Sequence, residues 1–158
     1  MSYSVKATEA EKPKSKESQR AALLLAAILL IMLVAQLFSY DHFPALIASL
    51  WFPGGEQSAQ FLAAFIVVAE LFALPFLIRM KVSIGFRVMS MLMGWIAVAI
   101  WIKIALWAML ATNQSSNIGL LGDTISIAPG WGIVCVSIAL GVLTVWASWG
   151  LWPIQRRK

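Results

Sequence analysis

The chain has 158 residues, of which 61% are hydrophobic and 12% are charged, and its formal net charge is +5. Soluble domains are only about half apolar, so this composition excludes an ordinary water-soluble globular domain. The charged residues are unevenly placed, and four long stretches carry one charge or none. A helix crosses a bilayer core of ~30 Å with roughly 20 apolar residues. The sequence therefore predicts an all-α integral membrane protein, built as a four-transmembrane-helix up-and-down bundle.

The N-terminal part is predicted to be a disordered cytoplasmic tail over residues 1–20, followed by the first span over residues 21–40. The tail mixes Lys, Glu, Ser and Pro, a composition that is typical of disorder. The uncharged run of the span is longer than the roughly 7–15 residues of a signal-peptide core. We therefore expect this span to be retained.

The second span is predicted over residues 59–78 and contains one acid, Glu70, in otherwise apolar sequence. Before it, the apolar stretch from Phe43 to Trp51 is predicted to form a short helix at the membrane interface. Pro75 lacks a backbone N–H, so we expect it to kink the second span just beyond the acid.

The third and fourth spans are predicted over residues 86–111 and 130–152. A short connection makes spans two and three a tight antiparallel hairpin. The loop before the fourth span, residues 113–129, is polar and Gly-rich, which is typical of a flexible segment or a lid. Residues 21–154 are predicted to form a single membrane domain, and residues 155–158 a basic cytoplasmic tail.

The positive charges indicate the orientation of the chain. Apart from Lys103, every Lys and Arg lies in the N-terminal tail, in the connection between spans two and three, or at the C-terminus. The other two loops carry only acidic charges. By the positive-inside rule, both termini are predicted to be cytoplasmic (N-in, C-in) in the cell membrane, and a bacterial or archaeal inner membrane is expected. The basic charge is therefore a topology signal, and no nucleic-acid partner is inferred from it.

Glu70 and Lys103 are the ionisable residues within the predicted spans. A charge at the bilayer centre costs about 2.5–3.5 kcal/mol on insertion scales, so such residues usually face the bundle interior and find a partner. Helical rise places the two residues at depths that differ by about 10 Å. A direct pair would therefore need helix tilt or an intervening water molecule.

Three interpretations of Glu70 stay open. It is a structural anchor that pairs with Lys103, Gln36 or Ser137, or it belongs to a ligand or proton site. In the third interpretation it is a protonated carboxyl that packs without a function, because burying the charged form is costly.

Span four carries small residues at helical spacing: Ser137, Gly141, Thr144 and Ser148. Such a stripe allows the backbone of another helix to approach closely. Trp101 lies deep in span three, where packing or lipid contact is favoured over lining a pocket.

Metal and haem ligands are scarce in this sequence. The single histidine, His42, excludes a bis-histidine haem within the chain, and no spacing of Cys, His and carboxylates resembles a zinc or iron site. The single cysteine, Cys135, allows neither an internal disulfide nor a Cys-x-x-Cys motif. These residues leave the cofactor unknown.

The segment Ala35–Ile78 resembles the DoxX/DoxD family and its MauE-like relatives, which are small four-span membrane proteins. The stretch QLFSYDHFP, Gln36–Pro44, stands for the end of the family's first span and the F-P stretch that follows. The stretch AELFALPFLI, Ala69–Ile78, stands for its acid-bearing second span. The resemblance covers about the first two spans, and its motifs are degenerate.

The resemblance places Glu70 at the family's intramembrane acid and Asp41 near its loop acid. Gln36 replaces the usual Lys of the first motif, and Lys103 has no counterpart. With the neighbouring His42, these residues are the candidate ligand-binding residues, and no catalytic residue is assigned.

What the resemblance implies is a redox-associated membrane subunit, tied to thiol, sulfur or quinone chemistry and working with a membrane or redox partner protein. In an intramembrane quinone-type pocket, Lys103 would donate to a carbonyl oxygen and Glu70 would accept or relay a proton. Whether such a subunit is itself an enzyme stays open.

The alternative is a non-catalytic assembly or scaffold protein, which docks a partner span through the small residues of span four. A carrier or channel is less favoured, because the four spans show no inverted repeat.

Overall fold

The computed structural model describes residues 7–10, 12–50, 54–110 and 117–152. Within these ranges it contains five helices: α1 (Lys16–Phe38), α2 (Phe43–Ser49), α3 (Gly55–Leu77), α4 (Ile84–Leu110) and α5 (Trp131–Gly150). By length and composition, α1, α3, α4 and α5 can each cross a membrane. The predictions of an all-helical chain and of four candidate spans are therefore confirmed.

The four long helices form a bundle in which each helix packs against two others. Both α3 and α5 pack against α1 and against α4, and the short α2 packs against α3. We call the end of the bundle that carries residues 12–15, 78–83 and 151–152 the basic end. The opposite end, with α2 and residues 117–130, is called the loop end.

The first described residues, 7–10 and 12–15, cross the basic end and are called the N-terminal strap. The Thr8 N–H donates to the Val82 carbonyl at 3.2 Å, and the Lys14 N–H donates to the Gly150 carbonyl at 3.0 Å. The buried Arg87 side chain donates through Nη2 to the Thr8 carbonyl at 2.8 Å. The strap is thereby tied to the α3–α4 turn and to the end of α5.

For residues 7–10 and 12–20, which the structure describes, this packing differs from the disordered tail expected over residues 1–20. Ser15 caps α1, because its Oγ accepts from the Ser18 N–H at 3.0 Å, and the helix therefore begins at Lys16. The strap residues are held because their backbone groups find partners on other segments. Residues 1–6 and the predicted basic tail over residues 155–158 lie outside the described ranges.

One exposed ion pair also links the strap to the α3–α4 turn. Lys81 Nζ lies 2.6 Å from Glu9 Oε1. The hydrogen bond from Lys81 lowers the pKa of Glu9, and the same bond raises the pKa of Lys81. Any stability from this pair is present above the ordinary pKa of Glu9 and is lost as the pH falls through its lowered pKa. Because both side chains are exposed, the contribution to folding is small.

Small residues let the long helices approach one another, as the sequence predicts for α5. Ser137, Thr144 and Ser148 are buried within the chain, and a Cβ added at Gly141 would lie 3.3 Å from Ile102 of α4. The stripe therefore packs against the chain's own helices. Because these side chains are occupied within the chain, the structure gives no support to docking a partner span through them, and the scaffold hypothesis stays a prediction.

Pro75 interrupts the hydrogen-bond ladder of α3, and Ser90 of α4 repairs it. The Phe76 N–H donates to Ser90 Oγ at 2.9 Å instead of to its own helix. Ser90 Oγ in turn donates to the Phe72 carbonyl at 2.6 Å. A buried hydroxyl from the neighbouring helix is a known means of satisfying backbone groups that a proline frees. This contact fixes α3 against α4 one turn beyond Glu70.

We predict that Ser90→Ala lowers the free energy of unfolding by about 1–3 kcal/mol, because it leaves a buried N–H and a buried carbonyl without the bridging hydroxyl. An SDS titration of the full chain in detergent measures this loss. In a Pro75→Ala background the helix can close its own ladder, so the same substitution should cost less. An equal cost in both backgrounds would contradict the bridging role of Ser90.

The close contact between α1 and α5 at the basic end depends on Gly150. A Cβ added there would collide with the Cβ and Oγ atoms of Ser18. The absence of a side chain lets the end of α5 lie against the first turn of α1.

We therefore expect Gly150→Ala to destabilise the bundle by about 1–3 kcal/mol through overpacking. Gly132→Ala in the same helix is the matched control, since a Cβ there has no neighbour within 4 Å. The control should be neutral or stabilising by up to about 1 kcal/mol, owing to the helix propensity of Ala. The same SDS titration compares them, and similar effects of both variants would refute the contact.

Candidate functional site

A buried polar cluster surrounds Glu70 in the interior of the bundle. The Glu70 side chain on α3 is fully buried. Its Oε1 accepts a hydrogen bond from the indole Nε1 of Trp101 on α4 at 2.7 Å. The same oxygen accepts a second bond from Nε2 of Gln36 on α1 at 3.3 Å. One carboxyl oxygen thus connects three long helices.

Gln36 extends this cluster to the loop end. Its Nε2 also donates to the Leu120 carbonyl at 3.1 Å, and the Gln36 side chain is fully buried. The carboxyl of Glu70 is therefore one side chain away from the backbone of the loop between α4 and α5.

That loop folds into a compact unit over residues 117–127, which we call the loop cap. The buried Asn117 organises it: Oδ1 accepts from the N–H groups of Gly119 and Ile127 at 3.0 and 3.2 Å, and Nδ2 donates to the Gly122 carbonyl at 2.9 Å. Ile118 and Leu120 are buried against the bundle. Residues 117–127 are thus packed on the bundle in this structure, and the two interpretations from the sequence, a flexible segment or a lid, stay predictions.

The loop cap is docked on the last turn of α1. Ser39 Oγ accepts from the Asp123 N–H at 2.9 Å, and Thr124 Oγ1 donates to the Ala35 carbonyl at 3.3 Å. Gly122 adopts the left-handed region with φ of 59°, and a Cβ at this position would collide with Ser39 Oγ. Only glycine permits this close approach without strain.

Two acceptor atoms of the cluster have no hydrogen-bond partner among the described residues. These atoms are Glu70 Oε2 and Gln36 Oε1, and both are buried. Unpartnered buried polar atoms are costly, so the cluster carries unused capacity to bind a proton or a hydroxyl or N–H donor. Because the Glu70 and Gln36 side chains are hydrogen-bonded to each other, this unused binding capacity is concentrated at one place.

The structure does not bring Lys103 to Glu70. Lys103 is exposed, whereas Trp101 on the same helix is fully buried. Positions two apart on an α-helix lie about 200° apart around its axis. Because Trp101 faces the acid, Lys103 lies on nearly the opposite side of α4 and faces outward. The direct pair with Lys103, which the sequence left open, is therefore not observed, and Trp101 donates to Glu70 in this structure.

Of the remaining residues that the sequence proposed for the site, one contacts Glu70 and two do not. Gln36 reaches Glu70, as one of the interpretations expected. Asp41 and His42 are exposed in the turn between α1 and α2 and lie outside this cluster. Asp41 instead lines a separate shallow cavity of about 350 Å³ with Glu56.

An apolar groove of about 470 Å³, which we call the cap groove, lies between α1 and the loop cap. Its walls are formed by Leu30, Ile31, Val34, Ala35, Phe38, Leu121, Thr124 and Ile125. Ala35 comes directly before Gln36 in the chain, and Leu121 comes directly after Leu120. Gln36 and Leu120 are the two residues that the hydrogen bond described above joins. The groove and the polar cluster therefore both lie where the end of α1 meets the loop cap, although no residue of the cluster lines the groove.

Comparison with protein-family models, with curated proteins and with solved structures found no match to this chain. What the fold and the site define is a helical bundle with four candidate membrane spans, a buried carboxyl and an apolar groove. The resemblance to the DoxX family stays a prediction from the sequence.

Sequence reasoning missed the roles of Trp101, Asn117 and Leu120. The signal for Trp101 was its single polar atom, since a buried indole N–H needs an acceptor and Glu70 is the ionisable acceptor in the neighbouring span. For Leu120 no side-chain signal exists, because its contribution is a backbone carbonyl.

We predict that Gln36→Leu loosens the loop cap. The Leu120 carbonyl loses a buried donor, a contribution of about 1 kcal/mol, and amide exchange of Gly122 and Ile127 should accelerate roughly fivefold. Hydrogen–deuterium exchange of the full chain in detergent measures this rate. Gln60→Leu, at an exposed position of α3, is the control, and equal exchange in both variants would rule out the link.

Proposed function

We propose that this chain is a multi-pass membrane protein that binds a lipid-soluble ring compound of the quinone type in the cap groove. One observation carries the proposal: the end of α1 and the loop cap form both an apolar groove and, through Gln36 and Leu120, a contact to a buried carboxyl whose Oε2 has no partner among the described residues. An apolar cavity with a few convergent polar groups is the usual form of a small-molecule site.

The chemistry of the lining fits such a ligand. The walls of the cap groove are apolar apart from Thr124, so they suit a hydrophobic ring and its tail. Among the described residues, Glu70 Oε2 and Gln36 Oε1 have no hydrogen-bond partner, and they suit a hydroxyl donor such as that of a reduced quinone. In this proposal the loop cap lifts from α1 when the headgroup reaches these atoms, and this movement breaks the hydrogen bond between Gln36 and the Leu120 carbonyl.

The proposed cellular setting follows from charge and resemblance. The basic end would lie in the cytoplasm by the positive-inside rule, in a bacterial or archaeal inner membrane, with the loop end and the cap groove at the opposite leaflet. The DoxX-like segment supports a redox-associated subunit. Since the chain has a single cysteine, electrons would be carried by a bound quinone or by a partner protein.

A scaffold function is the second candidate, and one surface favours it. Val142, Val145, Trp146 and Trp149 of α5 form an exposed apolar concavity of about 430 Å³. A partner span would dock on this face, because the small residues of α5 are already buried within the chain. Co-purification of one membrane protein, with no bound quinone, would favour this function.

We predict that Val34→Trp, which fills the cap groove, abolishes the binding of decylubiquinone to the full chain in detergent. Val34 is 43% exposed, and Val68 on α3 is 46% exposed, so Val68→Trp is a control of equal size and exposure. Quenching of tryptophan fluorescence by the quinone measures the binding. Retained binding in Val34→Trp, or equal loss in both variants, would contradict the groove as the site.

A further inference from the structure

A second cavity, of about 330 Å³, lies at the basic end between α1 and the α3–α4 turn, and we call it the strap pocket. Six of its lining residues come from the helices and the turn: Gln19, Leu23, Leu77, Ile78, Arg79 and Lys81. The strap closes one side with Glu9 and Ala10. This pocket shares no lining residue with the cap groove.

The lining changes from polar to apolar along the helix axis. Arg79 and Lys81 lie just beyond the end of α3, whereas Leu77 belongs to its last turn. On α1, Gln19 lies nearer the basic end than Leu23, by one turn of about 6 Å. Leu23 and Ile78 are also half exposed on the outer surface of the bundle. The cations therefore lie nearest the basic end, and the apolar side chains lie further along the helices. This order matches the change from headgroup to acyl chain in a lipid.

The backbone at Arg79 supports a role for its side chain. α3 ends in a Schellman arrangement, in which the Met80 N–H donates to the Pro75 carbonyl at 2.9 Å and the Arg79 N–H donates to the Phe76 carbonyl at 3.2 Å. Arg79 holds the left-handed position with φ of 58°. Glycine is the usual residue there, because a Cβ is disfavoured in that region. An arginine in this strained conformation points to a function of the guanidinium group.

We propose that the strap pocket binds the headgroup of an anionic phospholipid, with Arg79 and Lys81 contacting the phosphodiester and the apolar wall contacting the first part of the acyl chains. The planar guanidinium presents five N–H donors that suit phosphate oxygens. A soluble anion would gain nothing from Leu23, Leu77 and Ile78, and this apolar wall is the reason for assigning a lipid.

The strap competes with the lipid for one of the two cations. Glu9 Oε1 lies 2.6 Å from Lys81 Nζ, in the position that a phosphate oxygen would occupy. Removing this carboxylate should therefore strengthen lipid binding, whereas removing either cation should weaken it. A general effect of charge predicts the same signs, so a cation removed elsewhere at the basic end is needed as the control.

Native mass spectrometry of the full chain in detergent, titrated with dioleoylphosphatidylglycerol or dioleoylphosphatidylcholine, tests the site. We expect phosphatidylglycerol to bind in preference to phosphatidylcholine. Arg79→Gly should lower the affinity for phosphatidylglycerol about fivefold, the usual effect of one cation near an anionic membrane surface. It should fold at least as well as the parent, because glycine relieves the strain at this position. Glu9→Gln should raise the affinity.

Lys14→Gln is the matched control, since it removes the same charge at the same end but from a side chain that lies over Trp149, 5.0 Å from the ring centre. A loss in this control equal to that in Arg79→Gly would overturn the proposal in favour of diffuse attraction. Displacement of phosphatidylglycerol by millimolar inorganic phosphate would also overturn it, because the pocket would then bind a soluble anion. Unchanged binding in Arg79→Gly would refute the site directly.

Discussion

A carboxyl buried in an apolar bundle must be supplied with hydrogen-bond donors, and much of this structure depends on how Glu70 obtains them. One donor is the indole of Trp101 on α4, and the other is the amide of Gln36 on α1. The same amide donates to the Leu120 carbonyl. The arrangement of three helices and the position of the loop cap are thus fixed around one side chain. Buried polar clusters specify a unique packing when they are fully satisfied, and here two acceptor oxygens have no partner among the described residues.

Backbone polar groups impose the second constraint, and they are satisfied by contacts between distant parts of the chain. Ser90 of α4 bridges the ladder that Pro75 interrupts in α3, and Asn117 supplies the internal hydrogen bonds of the loop cap. At the basic end, N–H groups of the strap donate to the carbonyls of Val82 and Gly150, and a strap carbonyl accepts from Arg87. Both ends of the bundle are closed by irregular segments whose polar groups are paired.

The long helices and the importance of Glu70 could be predicted from the sequence, because apolar length and an isolated acid are local signals. The direction of Lys103 could not be predicted because depth along a helix says nothing about direction around it; two residues from Trp101, it points outward. The small residues of α5 were read correctly as a packing surface, but their partner could not be known before the helix order was known. The strap and the loop cap were beyond prediction, since backbone hydrogen bonds such as those to Leu120 and Val82 leave no mark in residue type.

The proposed function makes one central claim: the carboxyl of Glu70 would respond to a ligand in the cap groove through Gln36 and the loop cap. Infrared difference spectroscopy of the full chain, recorded with and without decylubiquinone, tests this claim most directly. The account predicts a shift of a carboxyl C=O band on ligand addition, absent from Glu70→Gln and from Val34→Trp but retained in Val68→Trp. A spectrum in which the ligand binds and no band assigned to Glu70 changes would contradict it.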